Sequence, residues 1–159
     1  MLFHCKGDYE VELRILGYQF PGDTAGDWDS NWLRVYVGVK AGTGKRESVD
    51  PTLTTWELAR VAAWFEGLAR GEAPHGMEMT FTEPDLSFGL RNDAKERIKQ
   101  VRIGLNRNWN LEGGMGGGEI FLDIDADTEE LLRISRGLNE ELERFPERKP
   151  AAQDDGIAG

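Results

Sequence analysis

Trp32-Leu33-Arg34-Val35-Tyr36-Val37-Gly38-Val39-Lys40 places Leu33, Val35, Val37 and Val39 on one side of an extended chain. Trp32, Arg34 and Tyr36 fall on the other. A period of two marks a strand with one buried face. Ala41-Gly42-Thr43-Gly44 supplies a turn, and Lys45 to Val49 is expected to return as a shorter strand. The same alternation recurs upstream. Glu10 to Leu16 sets Val11, Leu13 and Ile15 against Glu10, Glu12 and Arg14, and Gly7-Asp8 joins it to a strand over Leu2 to Cys5. Short turns between successive strands favour antiparallel pairing.

Two helices interrupt this pattern. Thr54 lies three residues before Glu57, the spacing of a reciprocal capping box. Leu58, Val61, Ala62, Phe65, Leu68 and Ala69 then form one stripe that Gly71 ends. Trp56 and Trp64 lie off its centre and are expected to widen the face packed on the sheet. Asp127 and Glu130 open a second helix with Leu131, Ile134, Leu138, Leu142 and Phe145 inward, and Pro146 closes it. Between the helices, strands are expected at Met77 to Thr82, at Leu86 to Leu90 and at Ile98 to Leu105, with a bulge or a late start after Ile98. Glu119 to Asp125 follows. The cluster Gly113-Gly114-Met115-Gly116-Gly117-Gly118 reads as a flexible connection between strands. It leads into a strand and lacks the Lys and Ser or Thr of a phosphate cradle.

The sum is an α+β domain, a mostly antiparallel sheet of about eight strands with two amphipathic helices. Residues 1–146 are expected to form one domain, and 147–159 a disordered polar tail. The 159 residues suffice for a real core. No apolar run is long enough to span a membrane, no secretory signal opens the chain, and Cys5 is the single cysteine. These features point to the cytoplasm, with Cys5 as a small buried hydrophobe. The formal charge is −10. Such a field repels phosphate backbones and anionic lipid, so neither nucleic acid nor a membrane is an expected partner, whereas a basic protein is drawn in.

One loop breaks the ordinary pattern. Residues 17–31 end in Asp27-Trp28-Asp29-Ser30-Asn31-Trp32, two tryptophans and two aspartates in six positions. An aromatic anchor ringed by charge has the form of an interface hot spot. Asp27-x-Asp29-x-Asn31 resembles the start of a calcium loop, but Trp32 replaces the required glycine and Gly38 the bidentate Glu. His4, His75 and Cys5 give no zinc pattern. No spacing singles out a catalytic pair, although Glu83 with Asp85 and Asp23 with Asp27 are close in sequence. The chain therefore reads as a binding protein and not an enzyme, with no metal or cofactor implied. Candidate contact residues are Asp23, Asp27, Trp28, Asp29, Glu83 and Asp85.

Three stretches taken together carry a family resemblance. They are Gly17-Tyr18-Gln19-Phe20-Pro21 leading to Trp28-Asp29-Ser30-Asn31-Trp32-Leu33, then Asp50-Pro51-x-Leu53-Thr54-Thr55-Trp56-Glu57, then Phe81-Thr82-Glu83-Pro84-Asp85-Leu86-x-Phe88. Their order, with the closing Phe145-Pro146-Glu147-Arg148, resembles the WapI-type immunity proteins of bacteria over residues 8–148. The resemblance implies a small cytoplasmic antidote that binds a polymorphic toxin, often a nuclease, and performs no catalysis. A basic toxin domain suits an acidic body. Two other readings stay open. Exposed Trp and Asp residues also suit a small-molecule or carbohydrate site, and loop tryptophans also close the interface of a homo-oligomer.

Overall fold

The structure is a computed structural model and describes residues 1–111 and 114–151. Among the described residues eight strands form one sheet in which every pair is antiparallel. They are β1 (Leu2–Cys5), β2 (Tyr9–Tyr18), β3 (Trp32–Ala41), β4 (Gly44–Thr54), β5 (Glu78–Met79), β6 (Leu86–Leu90), β7 (Lys99–Leu111) and β8 (Gly114–Ala126). Helix α1 (Thr55–Ala69) follows β4, and α2 (Thr128–Arg144) follows β8. The expected α+β fold is the one observed.

The strand order is β1-β2-β3-β4-β7-β6-β5, with β8 along the other edge of β7. The sheet curls until its ends meet, where Lys6 N donates to Asp123 O at 2.8 Å and brings the end of β1 to β8. Curling puts one face of most strands inside. Val11, Leu13 and Ile15 of β2 and Leu33, Val35, Val37 and Val39 of β3 all lie in the core. The two helices fill the concave side. Thr54 and Glu57 form the expected capping box at α1, and Asp127 caps α2 by accepting from Glu130 N. Phe65 and Trp64 of α1 pack edge to face at 5.2 Å, and Phe65 meets Phe88 of β6 at 5.5 Å. Ser135 of α2 donates to Ala62 O at 3.0 Å, which ties the helices together.

Four sequence expectations change. The strand after the Ala41–Gly44 turn is longer than Lys45 to Val49 and runs through Pro51 to Thr54. Its register against β3 shifts at Leu33/Arg34, so Thr52 is the extra residue of a bulge and Pro51 is accommodated beside it. The strand expected over Met77 to Thr82 shrinks to Glu78–Met79, with Met77 exposed. Of the two alternatives expected after Ile98 the late start is the one observed, because Lys99 opens β7 with no register shift. Gly114 and 116–118 lie in β8, paired with Leu111 down to Arg107, and do not form a loose connection. Ladder bonds use backbone groups alone, so glycine can pair where its lack of side chain suggests a loop. Gly113 lies outside the described residues. Trp64 widens the packed face as expected and is fully buried, whereas Trp56 turns to the surface.

Cys5 is buried beside Phe3, and burial, aided by the charge of Asp123, pushes its thiol up to about 11. The thiolate is the reactive form. Labelling by a thiol reagent at neutral pH is therefore expected to be about 100-fold slower in the folded chain than in urea. Rapid labelling of the folded chain would show β1 detaching from the sheet.

Candidate functional site

The loop between β2 and β3 is built from its own polar groups. Asp23 Oδ1 accepts from Ala25 N at 3.1 Å, and Asp27 Oδ1 accepts from Ser30 N at 3.0 Å, which starts a single 3-10 turn over Asp29–Asn31. Asp23 and Asp27 thus shape the loop. Asp29 is exposed, with no hydrogen bond or ion pair from its side chain among the described residues.

Asn31 is fully buried and links three parts of the fold. Its Nδ2 donates to Asp27 O and to Arg148 O, both at 2.9 Å. Its Oδ1 accepts from Thr55 Oγ1 of α1 and from Arg148 N, both at 2.8 Å. The chain beyond α2 therefore docks on the loop, where a free tail was expected from Glu147 onward. The Arg148 guanidinium lies 3.6 Å over the Tyr18 ring and donates to the carbonyls of Phe20, Pro21 and Asp23. Three carbonyls pointing at one cation from one loop define that loop's path. The sequence signal for this was Phe145-Pro146-Glu147-Arg148, a closing motif whose role composition alone does not disclose.

On this platform sits an aromatic corner. Trp28 is 51% exposed. Its ring stacks on Trp56 at 5.3 Å and meets Trp32 edge-on at 6.3 Å. Trp32 and Trp56 are half-buried beneath it and do not fill the core. Trp56 Nε1 donates to Glu147 Oε1 at 2.7 Å. An exposed indole is thus flanked in sequence by the exposed Asp27 and Asp29, with the Glu147 carboxylate beside its stacking partner.

Gly26 holds the loop against the docked segment after α2, a strap over residues 147–150. It has φ of +76° and is buried, and a Cβ there would overlap the backbone of Lys149 and Pro150. Gly26→Ala is expected to cost about 2 kcal/mol through left-handed strain and forced separation. Urea unfolding followed by tryptophan emission checks it, and an unchanged midpoint would show that the strap is dispensable.

Glu83 and Asp85 do not join this corner. They line a groove of about 330 Å3 together with Asp50 and Arg107. The groove exists because β7 changes partner on one edge. Val101 to Leu105 pair with β6, and Asn110 pairs with β4. Arg107 points into the resulting gap, its side chain fully buried. It donates to Ser48 Oγ, to Thr52 Oγ1 at 2.8 Å and to Val35 O at 3.3 Å. It pairs with Asp85 and Asp50, each at 3.2 Å. Burial lowers the affinity of the guanidinium for its proton against the opposing pull of both carboxylates. Burial likewise raises the Asp85 carboxyl, more than Arg107 lowers it. Asp85 therefore serves a structural ion pair, while Glu83 is exposed. Arg107 lies past Leu105, where the strand was expected to end, on a β7 that runs on to Leu111.

Among the described residues no cluster of His, Cys, Asp and Glu is arranged to hold a metal. Among the same residues no helix is long and apolar enough to cross a membrane. The family model described as the immunity protein WapI-like family matches residues 1–146. The chain belongs to this family. Among curated proteins and solved structures, none matches the chain. The matched span covers every strand and both helices and stops at Pro146, just before the docked segment. Membership of the WapI-like family supports an immunity role.

Proposed function

We propose that this WapI-like family member neutralises a basic toxin domain, such as a nuclease, by binding it without catalysis. The contact surface is the corner of Trp28, Asp27 and Asp29, with Asp23 and Glu147 at its border. The observation that carries the reading is the half-exposed Trp28 indole, stacked on Trp56 and flanked by carboxylates. Stacking holds the ring in place before a partner arrives, so little side-chain freedom is lost on docking. The acidic body attracts a cationic surface, and the indole supplies the apolar anchor. Glu83 extends the acidic field at the Arg107 groove.

Asp29 is the cleaner probe than Asp27, whose carboxylate also caps the loop. The experiment is capture on the immobilised full chain from the source cell's lysate and secreted fraction at low and high salt. A basic protein retained by wild type at low salt and lost by Asp29→Lys supports the reading. Equal retention by Asp29→Lys places the contact elsewhere.

A further inference from the structure

β8 continues beyond the point where β1 can cover it. The last bond across the seam is Lys6 N to Asp123 O. In an antiparallel ladder a residue's N–H and C=O point to one edge, and successive residues alternate edges. Asp123 faces outward, so Phe121, Glu119 and Gly117 do as well, while Ile120 and Leu122 bond to their partners Leu105 and Ile103 on β7. Among the described residues no backbone group meets the outward edge at Gly117, Glu119 or Phe121. Exposed edges are usually blunted by lysine, proline or a bulge. Gly116 to Leu122 contains neither residue, and its register with β7 is unbroken.

A cleft of about 520 Å3 adjoins this edge; Val39, Leu111 and Ile120 give it an apolar lining, and Lys45 and Arg46 line it as well. On the opposite face, Phe121 is 55% exposed. Glu119 is exposed and makes no ion pair among the described residues. A strand laid on the edge would send alternate side chains toward the cleft and the others beside Phe121 and Glu119. The cleft suits apolar side chains and, with Lys45 and Arg46 in its lining, repels basic ones, whereas Glu119 on the other face suits a cation. A second copy paired about the same residue would set Glu119 directly against Glu119, a destabilising like-charge pair between chains of charge −10.

We propose that the free edge of β8 from Gly117 to Phe121 accepts an extended segment of a basic protein as an added strand. Alternate apolar side chains enter the adjoining cleft and a Lys or Arg meets Glu119. This surface goes beyond the Trp28 corner. β3 starts at Trp32 beside that corner and ends at Ala41 beside the cleft, so about 30 Å of strand separates them.

The test uses the full chain, labelled with 15N, and the capped peptide Val-Lys-Val-Lys-Val-Lys up to about 5 mM. Amides of Gly117, Glu119 and Phe121 are expected to exchange fast in the free chain and to gain about tenfold protection with peptide. The same peptide, N-methylated on the residues facing the edge, keeps its charge and apolar groups but cannot pair, and it should give no protection. Glu119→Pro removes an outward N–H together with the carboxylate and should abolish binding, a larger loss than charge alone produces. Glu119→Lys leaves the edge open and should weaken binding about tenfold by charge. No protection of the three amides by the unmodified peptide overturns the proposal, as does equal binding of the methylated peptide. Protection that grows with chain concentration and without peptide overturns it in favour of a second copy.

Discussion

Arg107→Ala is expected to lower folding stability by about 3 to 5 kcal/mol, the cost of stranding the partner of a buried ion pair. The guanidinium has no exposed surface and joins β7 to β3, β4 and the turn before β6. Its removal leaves Ser48 and Thr52 without their donor and Asp85 without its cation, in a gap that backbone pairing does not close. Urea unfolding measures the loss, and a loss under about 1 kcal/mol would show that water replaces the side chain at no cost. Arg107→Met with Asp85→Leu should recover much of it, because neither buried charge then remains. The pH dependence carries a definite sign. Asp85 already has its folded value raised above 3.8, so its protonated form is favoured by folding and its contribution is lost as pH rises through the folded value. Without Arg107 that value rises further. The deficit of the variant should therefore be smaller near about pH 4 than at about pH 7.

Trp28→Ala is expected to weaken toxin binding by about 2 to 4 kcal/mol, some 30- to 1,000-fold, while costing under about 1 kcal/mol of stability. The contrast follows from exposure. The ring is 51% exposed in the free chain and gives up only its contacts with Trp56 and Trp32. In a complex it would lose the rest of its water-facing surface. Calorimetric titration of the captured basic protein with both chains gives the affinity ratio, and thermal unfolding gives the stability. Unchanged affinity would remove Trp28 from the interface. A large loss of stability would make the corner a structural device.

The two sites differ in how much of them the sequence reveals. The Trp28 corner is local. Asp27, Trp28, Asp29, Asn31 and Trp32 lie within one turn of chain, and an indole between aspartates is unusual enough to be noticed before any fold is known. Its completion is not local. Trp56 and Glu147 come from the start of α1 and the segment after α2, and Trp56 joins the corner because Trp28 stacks on it. The Arg107 site is wholly non-local. Arg107 alternates in phase with Val101, Ile103, Leu105 and Trp109, so its position marks it as inward. Nothing nearby in sequence explains how a cation survives there.

The periods of two and 3.6, the capping residues Thr54 and Asp127, and the turn glycines determined the fold class and the inward set. Each is a property of a few consecutive residues obeying backbone geometry. Tertiary structure alone decided where β7 changes partners, which side of β8 stays open, and that Arg148 straps the Trp28 loop down. Those outcomes depend on contacts between distant segments, such as Arg107 with Asp50 and Asp85 or Asn31 with Arg148. The energy of such contacts exists only once the chain has closed the loops between them, and no local pattern records it.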